Sequence, residues 1–347
     1  MPGARSIQIV GGGLAGLALG IGLRRQEIPV TIFEAGHYPR HRVCGEFISG
    51  RGQASLARLD LDHVLESAGA IRATTAAFFT TSLSTPPQPL PASAICISRF
   101  ILDAALVKQF EMAGGKLISG HRWADDTSQE GVVRAMGRSP PSNSGGDHWF
   151  GLKIHARNTP LTADLEMHMA PHGYVGLCRL AGDEVNVCGL FRRRPGEHFT
   201  TQQSLAWLHG LAGSPLQKRL ATAEFDQASL CSVAGLSMRP HSAAAHSEIC
   251  VGDAITMIPP VTGNGMSMAF ESAELAIKPV AAWSRGEMTW DQAHQTIAQH
   301  CDRQFASRLK WAKWMQRLLL MPALQNPVIT LLSRHEWLWR KVFELTR

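Results

Sequence analysis

Apolar and polar positions alternate with a strand period from Ser6 to Val10, and the run ends in Gly11-Gly12-Gly13-Leu14-Ala15-Gly16. An apolar helix from Leu14 to Gln26 follows, then a second strand, Pro29 to Glu34, that closes on an acid. This order predicts the opening of a doubly wound α/β fold. Late in the chain, Ser247 to Val251 is a short apolar strand ending in Gly252-Asp253-Ala254, and a helix carrying Ala269, Ala273 and Ala276 comes after Ile258 to Met266. Between these ends, Trp149–His155, Leu161–Met169, Tyr174–Leu180 and Glu184–Leu190 show partial period-two alternation, separated by Pro, Gly and Asn. They predict an antiparallel sheet, joined by Ala70 to Thr80, with Phe150, Leu152, Ile154, Leu165 and Met167 on an apolar face toward the first unit. His155 and His168 fall in this sheet and are read as structural. From about Arg303 a helix sets Phe305, Leu309 and Ala312 against Arg303, Lys310, Lys313 and Arg317; Pro322 breaks it, and a second helix follows Asn326.

Composition narrows the class. The chain has 347 residues, 45% hydrophobic and 18% charged, enough for one large or two ordinary domains with a full core. No apolar run approaches the ~18–20 residues of a membrane span. Seven dispersed cysteines without a C-x-x-C pair suggest neither a disulfide framework nor a metal site, and with no signal-peptide pattern at the N-terminus they fit a reducing cytoplasm. The net charge of +6 belongs to residues 301–347, which hold nine Lys/Arg and three Asp/Glu together with Trp311, Trp314, Trp337 and Trp339. No nucleic-acid motif accompanies it, so a membrane or lipid surface is the better external partner. The alternative is that the tail helices pack on the rest of the protein and expose only their basic side.

The glycine run sits where a dinucleotide needs it. Gly11 permits the tight turn, Gly13 lets the backbone approach a pyrophosphate, and Gly16 lets helix and strand pack closely; the N–H groups of Leu14, Ala15 and Gly16 are free at a helix start. Glu34 lies 23 residues after Gly11, close to the ~20-residue spacing of a carboxylate that accepts from a ribose 2′-hydroxyl and repels a 2′-phosphate. The motif itself does not choose between NAD and FAD.

The second segment does. Gly252-Asp253-Ala254 with Pro260-Val261-Thr262-Gly263-Asn264-Gly265-Met266 resembles the late element of FAD-dependent oxidoreductases of the geranylgeranyl reductase and para-hydroxybenzoate hydroxylase type. The resemblance runs from Ile7 to about Ala282. It implies a doubly wound FAD-binding Rossmann-like fold with an inserted antiparallel substrate sheet and C-terminal helices. The expected division is residues 1–70 with 94–148 and 231–300 for FAD, 71–93 with 149–230 for substrate, and 301–347 as a basic helical region.

By the same resemblance Asp253 bonds the ribityl chain, and Gly263, Asn264, Gly265 and Met266 face the flavin pyrimidine, where backbone N–H groups stabilise the negative charge of the reduced ring. Arg42 and Arg99 lie where the anionic cofactor passes. Cys44 and Glu46 fall in a Cys-Gly segment beside the ring, either as proton donors or as a small buried residue and a loop-ordering acceptor. One departure is an A-D-G-x-x-S-x-V-R element not found in residues 121–150, where Ala124-Asp125-Asp126-Thr127 is a poor match and Ser139 to Gly146 reads as a polar loop. The implied activity is double-bond reduction or flavin-hydroperoxide hydroxylation of a lipophilic substrate, with NADH or NADPH as transient electron donor. The W-x-W-x-I-P run associated with flavin halogenases is missing, which lowers that option. A non-catalytic flavin- or lipid-binding protein that has lost the Asp-Gly element is the alternative.

Overall fold

A computed structural model describes residues 4–124, 129–138, 148–170, 172–194, 196–197 and 200–346. In the first half of the chain the strands are β1 (Ile7–Val10), β2 (Val30–Glu34), β3 (Phe47–Ile48), β4 (Ile71–Phe79), β5 (Gln88–Cys96), β6 (Lys116–Ser119) and β7 (Val132–Arg134). The helices among them are α1 (Leu14–Arg24), α2 (Arg51–Arg58), α3 (Asp62–Ser67) and α4 (Arg99–Met112). The second half contributes β8 (His148–Arg157), β9 (Leu165–Ala170), β10 (Gly173–Arg179), β11 (Val185–Arg193) and β12 (Glu224–Leu236), with short helices α5 (Thr201–His209) and α6 (Pro215–Arg219). It closes with four helices, α7 (Gly265–Ser284), α8 (Trp290–Leu319), α9 (Pro322–Arg334) and α10 (Glu336–Leu345).

Two sheets organise these elements. The first is parallel, in the order β6-β2-β1-β7. Ile249 to Val251 extends it, because Arg134 N–H donates to the Ile249 carbonyl at 2.8 Å and Val251 N–H to the Arg134 carbonyl at 2.9 Å. Its inner strands β1, β2 and β7 are short and largely buried, the pattern of a parallel sheet covered by helices, while β6 forms a more exposed edge. Ile9, Leu17, Leu19, Ile21, Phe110, Ala273 and Val280 share its core. The second sheet has the order β12-β8-β11-β10-β9-β4-β5-β3 and is antiparallel except for the β4–β9 pair.

Three expectations are corrected here. In β8 the side chains of Leu152 and Ile154 join the cluster of Trp207, Leu208 and Leu216 on α5 and α6, with Phe150 packed against it. The opposite face of the strand, Gly151, Lys153 and His155, turns toward the first unit, where a Cβ on Gly151 would lie 2.7 Å from Val43. Alternation was legible, but which of the two faces met the first unit was not, because α5 and α6 supply a second apolar partner. Second, the break before Pro322 is present, but the next helix starts at Pro322 itself rather than after Asn326, and Pro327 lies inside it; a proline in a first turn has no N–H to leave unpaired. Third, within the stretch where the Asp-Gly element was not found, β7 leads into Ala135-Met136-Gly137 directly behind Gly11, with Met136 where that element has Asp. Residues 125–128 and 139–147, which include the Asp125-Asp126 and Ser139–Gly146 assignments, lie outside the described residues.

Candidate functional site

The glycine turn is shaped by what a side chain would strike. Gly11 has φ +110°, and a Cβ there would lie 2.3 Å from the Ala135 carbonyl; a Cβ on Gly16 would lie 2.0 Å from the Gly11 carbonyl. Gly13 differs, since a Cβ there would meet nothing within 4 Å. Helix α1 starts at this open side with no side-chain cap and no acid in its first turn, so its first N–H groups and positive helix end face the space. A cradle of this kind fits a pyrophosphate.

Glu34 is buried at the end of β2. One carboxylate oxygen accepts from Gly12 N–H at 2.9 Å and the other from Gly36 N–H at 2.9 Å. Arg40 pairs with it at 2.6 Å and Arg42 approaches to 3.6 Å. Burial pushes the carboxyl up, but the Gly36 N–H and the two arginines outweigh it and hold Glu34 below the usual carboxylate range. The acid therefore orders its own turn and is screened by cations, so the local charge is not the bare negative expected to repel a 2′-phosphate.

The late segment folds back onto this turn. Gly252 has φ +64°, and a Cβ there would lie 2.9 Å from Cβ of Ala15; Gly252 N–H donates to Ser272 Oγ of α7 at 2.8 Å. Asp253 is partly buried, and among the described residues its carboxylate has no hydrogen-bond or ion-pair partner. Burial pushes it up, opposed by the charges of Arg138 and Arg99. A carboxylate so placed is suited to a ligand's hydroxyls. Gly263, at φ +66°, lies so close to the Phe47 ring that a Cβ would come within 2.0 Å of it. Gly265 and Met266 open α7, which again has no side-chain cap and no acid in its first turn. Asn264 is fully buried: its Nδ2 donates to the Thr346 carbonyl at the end of the chain, and its Oδ1 has no partner.

Between the two segments lies the loop holding the remaining predicted residues. Arg99 pairs with Asp103 through two bonds of 2.7 and 2.9 Å, and Arg42 Nε reaches the same carboxylate at 3.3 Å. The Cys44 carbonyl accepts from Asn186 at 2.8 Å, and its Sγ accepts from Glu46 N–H at 3.4 Å. Burial pushes the Cys44 thiol up against the pull of Arg99, which keeps it protonated. Glu46 has φ 59° and no exposure at all. Its Oε1 accepts from Arg99 N–H at 2.8 Å and pairs with Lys153 Nζ at 3.2 Å; its Oε2 meets His155 Nε2 at 2.7 Å. His155 Nδ1 continues to Glu184 at 3.2 Å, and Lys153 Nζ to His41 Nδ1 at 3.0 Å. Burial raises Glu46, yet His155 and Lys153 outweigh it and hold the carboxyl below its ordinary value; His155 is pulled down by burial and raised further by Glu184 and Glu46.

Lys153, His155, Glu184 and His41 thus gather around Glu46, the one member of this network that the sequence had singled out as a site residue. Lys153 and His155 were in view as part of an apolar strand, and a lysine flanked by Leu152 and Ile154 was the available signal of a buried ion pair. Asp103, Arg138 and Arg40 carried no signal of their own. Beyond the loop, Trp149, Met169, Tyr174 and Leu190 of the sheet pack with Val261 of the late segment and with Met315, Leu319 and Ile329 of the tail. The Tyr174 hydroxyl is buried there without a hydrogen-bond partner among the described residues. All seven cysteines are free, and among the described residues no group of three or more side chains is arranged for a metal.

A family profile described as an NAD(P)-binding Rossmann-like domain matches residues 9–45, the β1-α1-β2 unit and the start of the loop. No curated protein matches the sequence. Solved structures do match along almost the whole chain. The flavin-dependent brominase Bmp2 is 16% identical, with 95% of this chain and 93% of that chain covered and a TM-score of 0.69. The myxobacterial chondrochloren halogenase CndH is 18% identical over 89% and 82% of the two chains, with a TM-score of 0.70. PqsL of P. aeruginosa, solved in complex with 2-aminobenzoylacetate, is 13% identical over 91% and 97%, with a TM-score of 0.70. At such identities the likeness is one of fold: an α/β architecture shared with these solved structures.

Proposed function

We propose that this chain is an FAD-dependent oxidoreductase that acts on a lipophilic substrate. The observation that carries the reading is the meeting of two empty-handed elements. The uncapped α1 N-terminus over the open side of Gly13 and the unpartnered Asp253 carboxylate belong to segments some 240 residues apart in sequence, yet they touch at Gly252 and Ala15. In this reading the N–H groups of Leu14, Ala15 and Gly16 hold the pyrophosphate, Glu34 the adenosine ribose, Asp253 the ribityl hydroxyls, and the start of α7 at Gly265 and Met266 the pyrimidine edge. Bound flavin supplies two-electron transfer, with NADH or NADPH as donor.

The protein's own part is binding, orientation and charge. Arg42 and Arg99, both tied to Asp103, present cations along the path of an anionic cofactor. Cys44, kept protonated, is the side chain able to give a proton beside the ring. Glu46 is held ionised by Lys153 and His155, which suits positioning of the loop rather than acid catalysis. The apolar cluster around Tyr174 and Val261 gives a greasy substrate its surroundings, with one unpaired hydroxyl to orient a polar group.

Loading purified protein with FAD and following NADH or NADPH oxidation tests the reading. Oxygen uptake stimulated by a phenolic lipid identifies a hydroxylase, and oxygen-independent oxidation stimulated by a polyprenyl substrate a reductase. Failure to bind FAD at all overturns the proposal.

A further inference from the structure

The C-terminal helices do more than cover the sheet. Their inner faces are spent: Phe305, Leu309 and Ala312 are in the main core, and Met315, Leu319 and Ile329 in the cluster against the second sheet. Their outer faces nevertheless carry large apolar side chains. On α8, Lys310, Trp314 and Arg317 stand at i, i+4 and i+7, one stripe of the helix. The stripe runs to Met321 at the corner before α9, whose outer face continues with Leu324 and Leu331. Trp314 is 49% exposed, Met321 49%, Leu324 37% and Leu331 50%. Large apolar groups gathered at one corner are what a protein surface ordinarily avoids.

The charge beside them has one sign. No Asp or Glu occurs between Arg303 and His335. Arg308 is spent on buried Glu271, but Lys310, Lys313 and Arg317 have no acidic partner among the described residues. No helix is long and apolar enough to cross a bilayer. An aromatic and aliphatic corner rimmed by unpaired cations fits a surface whose outer layer is anionic and whose interior is apolar.

We infer that the α8–α9 corner docks this protein peripherally on an anionic lipid bilayer, with Trp314, Met321 and Leu324 in the interface and Lys310, Lys313 and Arg317 on the headgroups. The same helices line the apolar cluster with their inner faces, so docking would set that cluster next to the lipid phase. The inference needs no flavin and stands apart from the proposed activity.

Co-sedimentation of the full chain with phosphatidylcholine vesicles, with and without a third of phosphatidylglycerol, tests it. Binding is expected only to the anionic vesicles and should weaken steeply with salt. Replacing Lys310, Lys313 and Arg317 together by Gln should lower the partition coefficient by roughly a hundredfold, since each surface cation is worth about a fivefold factor. Trp314→Ser with Leu324→Ser should lower it as well while the melting temperature stays unchanged, because neither side chain is part of the core. Quenching by brominated lipid should fall in Trp314→Phe relative to the parent protein. Absence of vesicle binding, binding that both sets of substitutions leave intact, or sedimentation showing that the corner instead mediates self-association would each overturn the inference.

Discussion

In the proposed FAD site, Gly13 and Asp253 separate cofactor binding from folding at the scale of single residues. Because a Cβ at Gly13 meets no protein atom and its φ of −80° suits alanine, Gly13→Ala should leave the melting temperature unchanged yet abolish FAD retention. Gly16→Ala, which drives a methyl into the Gly11 carbonyl, should lose both. Asp253→Ala should weaken FAD binding by about 10- to 150-fold in a fluorescence titration, the value of roughly 1.5–3 kcal/mol for a charge-assisted hydrogen bond, whereas Cys44→Ala should scarcely change it. Lys153 poses the opposite case. Its ammonium is fully buried against Glu46, and Lys153→Met, which removes one of the two cationic partners of that buried carboxylate, should cost about 3 kcal/mol in chemical denaturation. The pair of His155 and Glu46 sets a pH window. His155 has a raised folded pKa, so its contribution is complete below the ~6.5 of an unfolded histidine and is lost as pH rises through the raised value. Glu46 has a lowered one, so its contribution is complete above its ordinary value of 4.5 and is lost as pH falls through the lowered value. His168, whose pKa burial lowers, acts only below the histidine range. Stability measured on raising pH above neutral should fall in the parent protein, and His155→Gln should remove that part of the slope.

Among the elements, β1, α1, β2 and α7 follow from pattern and punctuation. Ser6–Val10 alternates, glycines mark the turn, and the acid at Glu34 ends the second strand. In the second sheet β8 to β11 were visible as short alternating runs, with β4 expected to join them, whereas β3, β5 and β12 were not foreseen. What alternation left open was the direction of each face: Lys153 and His155 share a side of β8 with Gly151, and only the arrival of Val43 on that side makes it the one toward the cofactor unit. Pro322 shows a related ambiguity. A proline reads as a break when the chain before it is helical, and equally as a first turn when a new helix begins there.

On the scale of the whole molecule the tail closes the structure. Residues of α8, α9 and α10 complete the cluster over the second sheet, and Trp339 Nε1 donates to the Pro89 carbonyl at 2.9 Å. Deletion from Pro322 onward removes Ile329, Trp339 and Phe343, all buried, and should destabilise the protein by roughly 5 kcal/mol at ~1.5–3 kcal/mol for each large side chain. Thermal unfolding and dye binding to newly exposed apolar surface would show it with no lipid present. A truncated protein as stable as the full chain would remove the tail from the core. The loss would extend to the site, since the Thr346 carbonyl holds Asn264 at the start of α7.

The sequence by itself determined the nucleotide-type turn, the late Gly-Asp and Gly-Asn-Gly segment, the presence of a second sheet and the basic, Trp-bearing tail. Each of these rests on local chemistry: where glycine alone fits, where a helix starts, where apolar residues repeat. Only the tertiary structure decided that Gly252 lies against Ala15, that Glu46 spends its charge on Lys153 and His155, and that Arg40 and Arg42 screen Glu34. Those outcomes depend on contacts between residues far apart in the chain, and a buried charge takes its meaning from the partner that the fold delivers to it. The tail follows the same rule, because its amphipathic period announced two faces, while packing alone settled which apolar groups were covered and which were left at the surface.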